Sequence, residues 1–113
     1  MLAAATQLQA TPTAIVSLSG SGFAGTNSGP LYGNLDGKAA VGKLQVPLLL
    51  FAAKRDTEAV SDARILFTAS ASPTKQLVLL PGRAHGTELV YNGAPTAATV
   101  TKQILAFLRN HAR

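Results

Sequence analysis

The run Val46–Lys54 (VPLLLFAAK) is apolar at nearly every position and shows no period-2 alternation. A half-buried strand alternates, because successive side chains point to opposite faces of the sheet. An unbroken apolar run of this length suits a strand covered on both faces, as in parallel sheets sandwiched by helices. A second such run, Gln76–Leu80 (QLVLL), is closed by Pro81–Gly82. Between them, Ser61–Ser70 (SDARILFTAS) places Ala63, Leu66 and Phe67 at i, i+3 and i+4, the spacing of one helical face. Ser61 is the expected N-cap of that helix, Asp56–Ser61 a polar connection, and Ser72–Pro73 the stop.

The flanking segments extend the alternation. Thr13–Ser19 (TAIVSLS) carries β-branched residues and reads as a further strand. Leu2–Ala10 is rich in helix formers and ends at Pro12. Gly20–Leu35 is dense in glycine and reads as loop, and Asp36–Leu44 as a short helix capped by Asp36 and weakened by Gly42. Arg83–Ala94 reads as loop. Pro95 suits the first turn of a last helix, continued by Ala97–Ala112, with Val100, Ile104, Leu105 and Leu108 as its apolar stripe and Phe107 nearby. The order is α-β-(α)-β-α-β-α. It predicts an α/β fold of three layers, a parallel three-stranded sheet with flanking helices, in one partial domain over 1–113.

Composition narrows the function classes. Hydrophobic residues make up 47% and charged residues 13%, which suits a packed globule rather than a disordered chain. There is no cysteine, so disulfides, thiolate zinc sites and a cysteine nucleophile are excluded. The net charge is +5, but the basic residues are scattered and only Lys54–Arg55 are adjacent. No nucleic-acid partner is expected, since such surfaces cluster their charge. No apolar run reaches the roughly 18–20 residues of a membrane span, so no membrane partner is expected. The opening MLAAATQLQA lacks the basic n-region of a signal peptide. Two histidines without a third ligand in register make no metal site, and no G-K-[ST] phosphate loop occurs, so no cofactor is expected.

Two residues able to do acid–base chemistry follow the two apolar strands. Asp56 stands just past the first and His85 just past the second. In open parallel sheets, ligands bind beyond the carboxyl ends of the strands. If these strands pair, the carboxylate can orient the imidazole, and the other ring nitrogen can act as general base. The bland alternatives are Asp56 as a turn or capping residue, His85 as a loop histidine, and Glu58 as a substitute acid. His111 falls in the last helical turn and reads as a helix-end residue. Strand–Asp–helix–strand–His is also the second half of a Ser…Asp…His chain order, yet no G-x-S-x-G turn precedes it. Ser17, Ser19 and Ser21 lie near glycines without matching that turn and read as strand-end and loop serines.

These residues resemble the C-terminal part of an α/β-hydrolase of the esterase, lipase and dienelactone-hydrolase-like superfamily. The resemblance is carried by Val46–Leu50 leading to Asp56, by Leu77–Gly82 leading to His85–Gly86, and by the final helix with Phe107–Leu108. Ile15–Gly20 resembles the family strand before the acid-bearing one, and Leu2–Ala5 the helix after the nucleophile elbow. Ala53 departs from the glycine members often carry. The resemblance implies Asp56 as triad acid, His85 as triad base, a nucleophile that is missing, and a small-molecule ester or acyl substrate. It implies a truncated chain, catalytically silent alone. It also leaves the Thr13–Ser19 strand edge unpaired, a route to self-association. The competing expectation is a noncatalytic α/β binding or interaction module.

Overall fold

The structure, a computed structural model, describes residues 13–20 and 41–111. Its elements in chain order are β1 (Ile15–Leu18), β2 (Leu48–Ala53), α1 (Thr57–Ala69), β3 (Lys75–Leu80), a 3-10 turn (Gly86–Leu89) and α2 (Ala97–His111). The helix expected at Leu2–Ala10 and nearly all of the Gly20–Leu35 loop lie outside the described residues. So does most of the helix expected at Asp36–Leu44, of which residues 41–43 are helical.

The three strands form one parallel sheet in the order β1-β2-β3. Ile15 stands opposite Leu48 and Leu48 opposite Lys75; Leu18 meets Phe51, and Ala53 meets Leu80. The α/β class expected from the apolar runs is the class observed. β2 is central and buried at every position, which explains why its sequence does not alternate. Its even-numbered residues face one helical layer: Leu48 and Leu50 pack with Val41 and Leu66, and Ala52 packs with Ala59 and Ala63. Its odd-numbered residues Leu49, Phe51 and Ala53 face the other, where Leu89, Val100 and Phe107 complete the core. Among the described residues β1 pairs with β2 alone.

Two helices depart from the sequence expectation. α1 starts at Thr57, not after Ser61, because Asp56 is its N-cap: the carboxylate accepts a hydrogen bond from Ala59 N at 3.4 Å. Asp56–Ser61 is therefore largely helix rather than connection, and Ser61 is exposed. In α2, Val100 and Phe107 are the buried residues, while Leu105 is 49% exposed. Phe107, seven positions after Val100, shares its face and joins Phe51 and Leu89 in the core, whereas Leu105, five positions after Val100, turns away. Pro95 lies just before this helix rather than within its first turn.

The C-terminus of α1 carries no basic residue of its own. Lys75 on β3 supplies the charge. Its Nζ donates to the carbonyls of Phe67 at 2.8 Å and Ser70 at 3.3 Å, and stands 4.8 Å from the Phe67 ring centroid. A cation at helix-end carbonyls satisfies orphan acceptors and opposes the negative end of the helix dipole. Lys75→Met is expected to lower stability by about 1–2 kcal/mol, read as a drop in the urea midpoint at unchanged slope.

Candidate active site

The site forms where the three strands end. After Ala53 the chain turns and stays tied to the exit of β3. Lys54 N donates to Leu80 O at 2.7 Å, Arg55 N to Gly82 O at 2.9 Å, and Asp56 N to Ala53 O at 3.0 Å. Asp56 is thereby placed at the carboxyl edge of the sheet, beside the loop that leaves β3. Its two oxygens have separate tasks. Oδ1 accepts from Ala59 N and starts α1. Oδ2 meets Nδ1 of His85 at 2.5 Å. The capping role and the histidine-pairing role thus coexist in one carboxylate.

An ionised carboxylate can only accept, so this contact puts a proton on Nδ1. In the neutral ring Nε2 is then the acceptor. The Asp56 side chain is 16% exposed and that of His85 61%, so the acid is sheltered while the ring is open to an incoming group.

The backbone around His85 is held as closely as its ring. His85 is extended at φ −122°, ψ 134° and precedes the 3-10 turn. Its N–H donates to Glu88 Oε1 at 3.2 Å, and Glu88 N donates back to His85 O at 3.2 Å. Gly86, at φ +60°, takes a left-handed conformation that glycine adopts without steric cost. Gly86 N donates to Ser19 Oγ at 3.0 Å. Leu89 is fully buried in the core beneath, and its carbonyl accepts from Thr96 Oγ1 at 2.9 Å.

Asp56 and His85, the two candidates from sequence, are therefore brought together. Glu58 is exposed and is not the carboxylate that meets His85. His111 packs its ring against Phe107, with centroids 4.8 Å apart, at the far end of α2. Ser17 is buried in β1, and Ser21 lies outside the described residues. Sequence reasoning missed the contributions of Glu88 and Ser19. Glu88 sits three positions after His85, the capping-box spacing, and could have been found from that signal. Among the described residues no cluster of three or more His, Asp or Glu side chains could hold a metal, and no helix is long and apolar enough to cross a membrane. A surface groove of about 800 Å³ runs along α2 between Val90 and Arg109, and neither Asp56 nor His85 lines it.

No protein-family model matches the chain, and no curated protein sequence does. Among solved structures it is similar to the crystal structure of the esterase domain of a Rhodothermus marinus protein, with a TM-score of 0.76 at 21% identity. The match covers 99% of this chain and 55% of that one, so the chain spans about half the length of the esterase domain. At this identity the likeness defines a fold, and the chain's fold is esterase-like α/β.

Proposed function

We propose that this chain supplies the acid and the base of a serine hydrolase acting on small-molecule esters or related acyl compounds. The observation that carries the reading is the Asp56–His85 hydrogen bond at the carboxyl edge of the sheet. In this reaction Nε2 of His85 takes the proton from a serine hydroxyl as its oxygen attacks the substrate carbonyl. The same proton passes to the leaving alkoxide as the tetrahedral species collapses to an acyl-enzyme. Water, deprotonated by His85, then releases the acid and regenerates the serine. Asp56 stays ionised throughout; it holds Nδ1–H and stabilises the imidazolium that forms in each half.

The serine belongs to residues outside these 113, on a strand that would pair with β1 along the edge that no strand among the described residues occupies. The oxyanion hole also comes from there, since its donors follow the nucleophile and an earlier loop in folds of this kind. Without them the largest electrostatic contribution to acyl transfer is lacking. Left uncovered, the β1 edge invites self-association of the isolated chain.

The test compares two proteins: the 113-residue chain, and the same chain extended in frame through the coding sequence preceding Met1. The extended protein is expected to hydrolyse activated short-chain esters and to be labelled by a fluorophosphonate on a serine within G-x-S-x-G. The 113-residue chain is expected to do neither. An extended protein inert toward esters would end the hydrolase reading. Turnover by the short chain alone, lost in both His85→Ala and Asp56→Ala, would place the nucleophile within it and overturn the claim that it lies outside.

A further inference from the structure

We infer that Ser19 is a positioning residue for His85: its hydroxyl holds the Gly86 amide and so sets where the imidazole stands over the sheet edge. The inference rests on His85 being the base proposed above. The loop bearing His85 leaves β3, and β2 separates β3 from β1. The Ser19–Gly86 hydrogen bond nevertheless joins residues 67 positions apart and ties that loop to the end of β1. It spans the exit of β2, where Asp56 sits. His85 is thus held from two strands at once, its ring by Asp56 and the following amide by Ser19. Glu88 secures the preceding amide from within the same turn.

The backbone of Ser19 marks it out further. Its N–H donates to Phe51 O at 2.9 Å, so it is anchored to the central strand. Its φ is +57°, and it is the one non-glycine residue with positive φ among those described. A side-chain-bearing residue rarely adopts this conformation and keeps it only where surrounding contacts hold it there. Gly86 also has positive φ, and glycine leaves its own backbone free to rotate. Ser19 Oγ supplies the tie on Gly86 from outside the turn.

The consequence for catalysis is geometric. A general base works when its nitrogen stands about 2.6–3.2 Å from the proton's owner. A displacement of about 1 Å can lower the rate about a hundredfold. Ser19 directly follows β1, the strand beside which the serine nucleophile would pair, so its hydrogen bond ties the His85 loop to that side of the sheet.

The test uses the 113-residue chain and does not depend on turnover. Ring 15N shifts from long-range proton correlation report the tautomer of neutral His85, and amide exchange reports the Gly86 N–H. The parent is expected to hold the Nδ1–H tautomer. Ser19→Gly accepts positive φ freely, so its melting temperature should not fall. Yet its Gly86 amide should exchange about five- to tenfold faster, the factor one net hydrogen bond supplies. His85 should drift toward a mixture of tautomers. Ser19→Asn, which tolerates the left-handed region and offers an acceptor, should restore both signals at least in part. Unchanged exchange and tautomer in Ser19→Gly would overturn the inference. So would a fall in melting temperature that accounts for both changes and is not rescued by Ser19→Asn. Failure of the hydrolase reading would show instead as absent turnover in the extended protein, leaving these measurements intact.

Discussion

Asp56→Asn is expected to leave stability within about 0.5 kcal/mol of the parent while lowering ester turnover by the extended protein about 10⁴-fold. The two effects separate because the two oxygens of Asp56 do separate work. Oδ1 accepts from Ala59 N to start α1, and asparagine caps a helix as well as aspartate does. Oδ2 faces His85 Nδ1, where an ionised carboxylate can only accept and so selects the Nδ1–H tautomer. An amide group carries no charge and can present N–H instead, which turns the ring toward the wrong tautomer. His85→Ala in the same protein should cost at least as much, since it removes the proposed base. Asp56→Ala should add a stability loss of about 1 kcal/mol from the missing cap. The measurements are kcat/KM on an activated short-chain ester and the urea midpoint, taken on the same preparations. If Asp56→Asn keeps turnover within tenfold of the parent, Asp56 is a helix cap and nothing more.

Phe51→Ala should destabilise the fold by about 3–5 kcal/mol. Phe51 is 1% exposed on the central strand, in register between Leu18 and Val78. Its ring belongs to the cluster of Leu49, Leu80, Leu89, Val100 and Phe107. Truncation forfeits the transfer free energy of the ring and leaves a cavity that flanking strands cannot close. Domains of this kind are stable by about 5–15 kcal/mol, so the loss is a large share of the whole. The cavity would also open beneath the His85 loop, because Leu89 anchors that loop in the same cluster. Leu105→Ala is the natural comparison. Leu105 is 49% exposed, and its truncation should change stability by no more than about 0.5 kcal/mol. Equal shifts in the urea midpoint for the two variants would contradict this account of the core.

Much of the architecture was legible because it rests on local pattern. The unbroken apolar run at β2 demanded cover on both faces, and the structure supplies a helical layer on each. The positions of Asp56 and His85 just past strand ends were enough to place both at one edge, once β2 and β3 paired. The start of α1 was misread because two cap candidates, Asp56 and Ser61, precede the same apolar face. The carboxylate won by reaching the Ala59 amide. The buried face of α2 was misread at Leu105: Phe107, seven positions after Val100, shares its face, whereas Leu105, five positions after it, turns away.

By itself the sequence determined the class of fold, the strand and helix order, and the two residues on which acid–base chemistry could rest. These depend on burial patterns and turn residues that act within a few positions of one another. Only the tertiary structure decided that the two oxygens of Asp56 divide between α1 and His85, residues 29 positions apart meeting side by side. It alone decided that Ser19 reaches Gly86, 67 positions away, across the end of the central strand. Contacts of that separation depend on strand register and on where loops cross the sheet edge. Those are properties of the packed whole, which no local run of residues encodes.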